Sequence, residues 1–397
     1  MARIPAEEAL ARALAERTGT RPEDWFCVFK ARYGMQAALA ALRPAAGEGS
    51  VVTQLFTCLT AVVPIVAAGL APVYRDVSAR TASLDPERLD PPAGTRAVML
   101  QHTYGIVDDA ESEELSRRAH AAGALVVEDS AHCVCRMARD ASGEPVADVS
   151  VHSFGVEKIL PTHFGGAVWV NPASPLPELA RAVRDALAAL PEPPARLDAL
   201  ARRYRTENRV LAHLPAGVSA PLRRALVSSG AMEPAVSEEE RRGAAARGPV
   251  RASAWVCERA LAALAGLDEA EALRRETVEA YRAALAGVDG ADALPAALEG
   301  PSQPLLRYPL LAPDTCAADR VVAGVCAAGL FAEAWYRPEL GPGVLDAAAF
   351  RVPADRSGLS VHERLVATCA ALPADVGASG ARRAAGAVCA ALAEVPD

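Results

Sequence analysis

The segment that decides the fold reads Val126-Val127-Glu128-Asp129-Ser130-Ala131-His132. An apolar start followed at once by two carboxylates is typical of a buried parallel strand whose carboxyl end faces a ligand. A second segment, Ser153-Phe154-Gly155-Val156-Glu157-Lys158, follows another apolar run at residues 149–151. Because the carboxyl ends of parallel strands meet at one edge of a sheet, we expect Asp129, Ser153 and Lys158 to share one site.

The chain on both sides of these segments alternates between apolar runs and helical stretches. Helical patterns are clearest at residues 34–42 and 109–122. The short apolar runs lie at residues 26–29, 51–52, 98–100, 124–127, 149–151 and 167–170. This alternation predicts an α/β fold in which a large, mostly parallel sheet carries helices on both faces.

The chain beyond residue 172 is mainly helical and predicts a smaller C-terminal α+β domain. Its features are a Pro-rich break, a charged loop, a helix pair and two strand-like segments, at residues 191–194, 237–248, 254–285, 305–311 and 331–336. We therefore predict a large domain at residues 1–245, which begins with a helix within residues 1–20, and a small domain at residues 246–397.

Composition and charge exclude several classes of function. The chain has 397 residues and a formal net charge of −8, which argues against nucleic acid or an anionic membrane as its main partner. The nine cysteines are an odd number and no signal peptide is visible, so we expect the reduced cytosol rather than a disulfide framework. Residues 50–74 carry no charge, but they include Gln54, Pro64 and Gly69 and favour strand, turn and buried helix over a membrane span.

Lysine is almost absent from the chain. Of the 41 Lys and Arg residues, two are lysines, Lys30 and Lys158. Since arginine serves wherever a plain positive charge is needed, a retained lysine indicates chemistry that a guanidinium cannot perform. Arginine stays protonated, whereas a desolvated lysine amine is a nucleophile that can form a Schiff base.

The residue types at the strand ends fit pyridoxal 5′-phosphate (PLP). A carboxylate such as Asp129 can keep a ring nitrogen protonated, and a lysine such as Lys158 can bond a carbonyl carbon. The pair Gly165-Gly166 and the hydroxyl of Ser153 can come close to a phosphate. We therefore expect a PLP site at this edge of the sheet.

In their order and spacing these motifs resemble the DegT–StrS family of sugar aminotransferases, which are fold type I PLP enzymes. The matching segments are Gly34, Thr57-Cys58, residues 69–76, residues 102–105, 128–132, 153–158 and Gly165-Gly166. Weaker matches follow at Arg251, Ser253, Arg275, Tyr281, Trp335-Tyr336 and residues 371–373. The resemblance implies a homodimer with shared sites that transfers an amino group from an amino-acid donor to a ketone, such as a keto sugar.

The resemblance also implies roles for individual residues. Lys158 matches the lysine that forms the Schiff base with PLP and moves the substrate proton, and Asp129 matches the aspartate beneath the pyridine nitrogen. His132 corresponds to the partner of the phenolic oxygen, and Ser153 to a phosphate-contacting serine. Lys30 matches no position of the family.

Three further cofactor contacts are implied at the ends of helices. Gly34 and Met35 fall on the family's phosphate-binding turn, where backbone N–H groups at a helix start suit an anion. Cys58 stands where many members place an aromatic ring against the cofactor.

Some positions depart from the family pattern. Tyr33-Gly34-Met35 removes the two hydroxyls of the usual phosphate turn, so more of the contact must come from the backbone, Ser153 and Arg32. Pro249 falls near the asparagine that usually reaches the phosphate across the dimer. Thr162-His163-Phe164 replaces a common Gly-Glu on the substrate side.

Candidates for substrate contacts are His102, Tyr104, His163 and Arg337. Histidines can act as general bases, although a lone histidine is also commonly a hydrogen-bonded structural group. Arg337, with Arg307 and Tyr336 as further options, could hold a carboxylate or phosphate through two parallel hydrogen bonds.

Other functions stay open beside the aminotransferase hypothesis. The same cofactor could serve elimination, decarboxylation, epimerisation or carbon–carbon bond formation on an amino acid. A cofactor-binding regulator or scaffold is a third hypothesis, against which Lys158 and the lack of a basic stripe argue. His132, Cys133 and Cys135 could be read as metal ligands, but no second ligand pair accompanies them, so we expect no metal.

Overall fold

A computed structural model describes residues 4–160, 162–245 and 247–393 of the chain. The strands are β1 Trp25–Val28, β2 Ser50–Thr53, β3 Ala71–Tyr74, β4 Thr95–Gln101, β5 Leu125–Asp129, β6 Val149–Ser153, β7 Gly166–Val170, β8 Asp292–Ala293, β9 Arg307–Leu311 and β10 Cys369–Pro373. The helices are α1 Pro5–Thr18, α2 Ala31–Ala41, α3 Leu59–Ala67, α4 Asp109–Ala121, α5 Pro177–Ala188, α6 Ala195–Ala212, α7 Ala216–Ser228, α8 Glu238–Arg241, α9 Ala254–Leu264, α10 Leu267–Leu285, α11 Pro295–Leu298, α12 Thr315–Ala327, α13 Ser360–Thr368 and α14 Gly377–Ala393.

The large sheet has the strand order β1-β7-β6-β5-β4-β2-β3. Strand β7 runs antiparallel to both of its neighbours, and the other pairs in the sheet are parallel. The prediction of a large, mostly parallel sheet is therefore confirmed. Strands β4, β5 and β6 are adjacent and parallel, so their carboxyl ends lie at one edge.

Helices cover both faces of this sheet, as predicted. Val127 and Met99 belong to a buried cluster with residues of α2, α3 and α5. Their strand neighbours Val126 and Leu100 belong to a separate cluster with residues of α4. Successive side chains of a strand point to opposite faces, and burial on both faces explains why these strands read as continuous apolar runs.

The charge-free stretch at residues 50–74 folds into β2, α3 and β3, which confirms the predicted strand, turn and buried helix. Pro64 lies inside α3, and Gly69 takes a φ of 74° just before β3. In the part of the chain that the structure describes, no helix has the length and apolar character needed to cross a membrane.

The C-terminal part contains a small antiparallel sheet of order β10-β9-β8. Helices α10, α12 and α14 pack around it, so the predicted smaller α+β part is confirmed. The helix pair predicted at residues 254–285 is also present, as α9 and α10.

The strand predicted at residues 331–336 is wrong. Glu333 forms a single antiparallel bridge to Ala371, and no strand forms around it. Trp335 and Tyr336 instead stack on each other, with ring centroids 5.1 Å apart. The aromatic residues that suggested a strand are therefore used as packing side chains in a loop.

The domain boundary predicted between residues 245 and 246 stays a prediction. Helix α9 packs against α1, and Val256 and Cys257 share a buried cluster with Leu10 of α1 and Trp25 of β1. This part of the chain after residue 246 therefore contacts the large sheet directly.

Gly34 offers a test of the packing between α2 and the sheet. A Cβ at this position would overlap the Cγ2 of Val168 and lie 3.2 Å from the nearest methyl of Val28. Both valines are buried, so we expect Gly34→Ala to lower the free energy of unfolding by about 1–3 kcal/mol, measured by urea denaturation.

The matched control is Gly386→Ala on the exposed side of α14, where an added Cβ has no neighbour within 4 Å. We expect this substitution to raise stability by about 0.5–1 kcal/mol, because alanine restricts the unfolded chain more than glycine. Wild-type stability in Gly34→Ala would contradict a packing role for this glycine.

Candidate active site

The edge of the large sheet where β4, β5 and β6 end opens into a cavity of about 480 Å³. The last residues of these strands, Gln101, Asp129 and Ser153, all line it. Of the residues that the sequence predicts for the site, those that line the cavity are Met35, Cys58, Asp129, His132, Ser153, Lys158, His163 and Arg337. The predicted residues that do not line it are Gly34, His102 and Tyr104.

Lys158 stands in the turn between β6 and β7. Burial lowers the pKa of its amine below the ordinary value, although Cys58, Asp129 and Glu157 oppose this shift. A buried amine with a lowered pKa loses its proton more readily, and the neutral amine is the nucleophilic form.

Asp129 closes β5 and accepts a hydrogen bond from the N–H of Ala131 at 3.0 Å. Burial raises the pKa of its carboxyl, whereas the positive charge of Lys158 acts in the opposite direction. A cation brought next to Asp129 would favour its ionised form further, which suits a carboxylate that must hold a protonated ring nitrogen.

His132 packs flat against Trp335, with ring centroids 5.1 Å apart and an interplanar angle of 27°. Its Nδ1 is buried and has no hydrogen-bond partner among the described residues. Burial, and then the charge of Lys158, hold the pKa of His132 well below its usual range, so the ring is neutral at pH 7. A neutral ring with an unpaired buried nitrogen is suited to a hydrogen bond with a ligand.

The start of α2 forms the wall next to Ser153. The helix begins at Ala31, three residues before the predicted start at residue 34, and Ala31 and Arg32 line the cavity. Gly166 lies so close that a Cβ there would stand 2.8 Å from the backbone nitrogen of Ala31. The second glycine of the predicted pair thus allows β7 to approach the N-terminus of α2, where free N–H groups suit an anion.

The predicted residues outside the cavity have packing roles. Gly34 faces Val168 and Val28, as described above. Tyr104 does not line the cavity, and its ring stacks on that of Trp335 with centroids 5.4 Å apart. His102 is 1% exposed and its Nε2 lies 2.8 Å from Oε1 of Glu128.

Glu128 forms the centre of a buried polar cluster below the site. Besides the bond to His102, it accepts the N–H of Ala138 at 2.7 Å and the hydroxyl of Ser150. Burial opposes its ionisation, but these hydrogen bonds, led by that of His102, hold the pKa of Glu128 below its ordinary value. The ring of His152 extends the cluster, 3.1 Å from Ser150.

Arg337 lines the cavity, but its guanidinium is engaged elsewhere. It donates to the carbonyl oxygens of Val366 and Ala367, at 3.4 and 3.1 Å, and to Asp319. Three of the five N–H donors of Arg337 are therefore used within the protein, which weakens its predicted role as a clamp for a carboxylate or phosphate. Arg307, the other option, lies outside the cavity lining and over the ring of Phe331 at 5.2 Å.

The comparison with known proteins finds a similarity to a family of aminotransferases in the N-terminal part of the chain. Residues 5–186 match the DegT/DnrJ/EryC1/StrS aminotransferase family. Over this region the chain is similar to that family, and the match spans somewhat less than half of the chain. The chain is also 30% identical over 140 residues to GDP-perosamine synthase of Caulobacter vibrioides, an alignment that spans 34% of this chain and 37% of that relative.

Solved aminotransferase structures have the same fold over nearly the whole chain. TlmJ from Streptoalloteichus hindustanus gives a TM-score of 0.69 at 22% identity, covering 98% of this chain and 92% of that one. NtdA from Bacillus subtilis, solved with bound cofactor PMP, gives a TM-score of 0.71 at 13% identity, covering 99% and 78%. The predicted fold and the resemblance to DegT–StrS proteins are confirmed.

Two residues at positions that depart from the DegT–StrS pattern, His163 and Phe164, line the cavity. His163, at one of the departing positions, has a φ of 72° and stands 5.6 Å from the ring of Tyr204. Its Nδ1 is buried and has no partner among the described residues. Phe164, the next departing residue, packs edge-on against the same Tyr204 at 5.1 Å.

Lys30, Gln101 and Tyr204 are among the cavity residues that sequence reasoning missed. The scarcity of lysine pointed to Lys30, but no motif placed it near Lys158. Gln101 could have been found, since it ends β4 at the same edge as Asp129. Tyr204 lies on α6, whose position over the cavity no sequence pattern indicates.

The alternative of a metal site at His132, Cys133 and Cys135 gains no support. These three residues do not come together as a ligand group within residues 4–160, 162–245 and 247–393. The side chain of Cys133 is fully buried, and burial raises the pKa of its thiol to about 12. A protonated, buried thiol is a poor metal ligand.

The Glu128 cluster makes a prediction about stability and pH. Glu128→Gln removes a buried charge from its hydrogen-bond donors. We therefore expect the free energy of unfolding, measured with urea at pH 7, to fall by about 3–5 kcal/mol. Because the pKa of Glu128 is lowered on folding, its contribution is complete above the ordinary glutamate pKa of 4.5 and is lost as the pH falls through the lower folded value. The difference between the two proteins should therefore shrink in acid.

The matched control is Glu114→Gln. Glu114 pairs with Arg117 and Arg118 on the surface of α4, where ion pairs contribute little to stability. A difference between wild type and Glu128→Gln that stays constant from pH 7 into strong acid would contradict a buried charged carboxylate.

Proposed function

We propose that the protein is a PLP-dependent aminotransferase. It would move an amino group from an amino-acid donor to a ketone, with a keto sugar or another intermediate of specialised metabolism as acceptor. The observation that carries this proposal is the meeting of Lys158 and Asp129 in one buried cavity at the carboxyl edge of a parallel sheet. The partial match to GDP-perosamine synthase supports a sugar acceptor.

The residues present fit PLP. When bound, PLP supplies an aldehyde that bonds amines and a ring that takes up negative charge. Lys158 would bond the aldehyde carbon through its neutral amine and would carry the proton that leaves the substrate carbon. Asp129 would hold the proton of the ring nitrogen, and the unpaired Nδ1 of His132 would bond the phenolic oxygen.

The phosphate of the cofactor would rest against the start of α2. Ser153 offers a hydroxyl there, and Arg32 and the N–H groups of the first helical turn offer positive charge. Met35 and Cys58 complete this end of the cavity. The thiol of Cys58 donates to the carbonyl of Gly341 at 3.2 Å, which holds the loop after β2 against the C-terminal part.

We also propose that the enzyme is a cytosolic homodimer whose sites are shared between subunits. The support for the dimer is the family resemblance. The support for the cytosol is that all nine cysteines are free thiols in the structure, as a reducing compartment requires.

The presence of two lysines in one cavity allows a strict test of the cofactor linkage. We expect borohydride treatment of the PLP-loaded protein to fix the cofactor to Lys158, which peptide mapping distinguishes from Lys30. Lys158→Ala should lose the fixed label and at least about 100-fold in turnover, because it removes both the nucleophile and the proton carrier. Label on Lys30, or parental turnover in Lys158→Ala, would contradict the assignment.

The type of reaction can be tested by incubating the PLP-loaded protein with the amino donor and no acceptor. With glutamate or glutamine and no acceptor, an aminotransferase should release close to one equivalent of the keto acid per cofactor, measured by rapid quench and chromatography. Elimination or decarboxylation would release an alkene-derived product or carbon dioxide, and would support the second hypothesis. A protein that binds no cofactor would support the scaffold hypothesis, and one that binds the cofactor without turning over any donor would support the regulator hypothesis.

A further inference from the structure

Lys30, which fits no family motif, lines the same cavity as Lys158. It stands between β1 and α2, and its Nζ lies 2.6 Å from Oε1 of Glu233. The lysine side chain is 11% exposed and the glutamate side chain 6%. Burial, reinforced by Arg32, lowers the pKa of Lys30, whereas Glu233 opposes the shift.

The cluster around Glu233 carries a net positive charge. Glu233 also faces Arg247, whose Nη2 lies 3.5 Å from Oε2, so two cations share one carboxylate. The neighbouring pair of Arg32 and Glu240, at 2.6 Å, is balanced. An anion that approaches Lys30 therefore meets an excess of one positive charge in a poorly hydrated place, where charges interact strongly.

The other cations that line the cavity each have a carboxylate partner or a role already proposed for them. The guanidinium of Arg337 is bonded to Asp319 and to two backbone carbonyls, and Arg32 is bonded to Glu240 and the carbonyl of Ala235. Lys158 is assigned to the cofactor. Lys30 has three ammonium protons and one hydrogen-bonded acceptor among the described residues, so it has donors to offer a ligand.

The surroundings of Lys30 suit an organic anion. The rings of Tyr33 and Phe164 each lie 5.8 Å from Nζ. Next to Phe164 is His163, with its buried and unpaired Nδ1. A cation, a free ring nitrogen and aromatic faces at one end of the cavity can hold an oxyanion together with the carbon skeleton that bears it.

We propose that Lys30, which stands at the N-cap of α2 beside the turn proposed for the cofactor phosphate, forms an oxyanion subsite for the substrate. The subsite would take a carboxylate of the amino donor or a phosphoryl group of the acceptor, since both present charged oxygens to an ammonium group. Its use in catalysis rests on the proposed function, but anion binding at Lys30 can be measured without turnover.

The experiment measures binding of two unreactive probes, glutarate and inorganic pyrophosphate, to the PLP-loaded protein by titration calorimetry. We expect Lys30→Met to weaken at least one probe about 10- to 100-fold, as for a lost hydrogen bond to a charged group. If the affinity for glutarate alone falls, the subsite binds the carboxylate of the donor. If the affinity for pyrophosphate alone falls, it binds a phosphoryl group of the acceptor.

A second variant separates binding from folding. Lys30→Met leaves Glu233 buried without its closest partner and can destabilise the chain. The double variant Lys30→Met/Glu233→Gln removes both buried charges and leaves the net charge of the cluster unchanged. We expect it to keep the loss of affinity with restored stability, because the hydrogen-bond donors of the ammonium are gone. Arg209→Met, which removes an exposed positive charge of α6 outside the cavity lining, should bind both probes as the parent does.

The outcomes are distinguishable from those for the proposed function. Parental affinity for both probes in the double variant, or no binding of either probe to the parent at millimolar concentration, overturns the subsite. If the protein takes up no PLP, the titrations are made on the protein as isolated. A Lys30-dependent loss there supports the subsite while the aminotransferase proposal fails.

Discussion

The buried carboxylate of Glu128 is the constraint on which the rest of the site depends. It is fully shielded from solvent and binds donors from three places, His102 after β4, the backbone of Ala138 and Ser150 within β6. A buried charge is tolerated only with such partners, so the cluster fixes the ends of three adjacent strands relative to one another. Because side chains alternate along a strand, fixing Glu128 on one side of β5 also fixes Asp129 on the cavity side.

Much of the large sheet could be predicted because its strands are buried on both faces. Runs such as those in β5 and β6 then contain little but branched apolar residues, and a polar residue marks where each run meets the cavity. The start of α2 was less predictable, since Lys30 at its N-cap makes no side-chain capping bond and nothing in the sequence marks it. The sequence was misleading at residues 331–336. Their composition is typical of a strand, but their aromatic rings pack on one another in a loop.

Side-chain direction is the part of the site that sequence patterns could not supply. Tyr104 belongs to a matching motif, yet its φ of 60° turns the chain so that the ring packs behind Trp335. Arg337 lines the cavity, but its guanidinium forms a hydrogen bond with Asp319. The partner of Lys30 is 203 residues away in sequence, and only the fold brings the two together. Sequence motifs therefore predict which backbone segments form a site. Ion pairs between residues far apart in sequence determine which charged side chains can still bind a ligand.

The two lysines of an arginine-rich chain have one physical explanation each. In the proposed function the amine at position 158 must be able to lose its proton, and a guanidinium cannot do so. At position 30 the ammonium is compact enough to stand between Tyr33, Phe164 and Glu233, and its three protons can serve the carboxylate and a ligand at once. The fold has already removed most of the water around Lys30. An anion that binds Lys30 therefore has little water to displace from the ammonium group. For the same reason, the hydrated arginines of the surface cannot take over anion binding when Lys30 is removed.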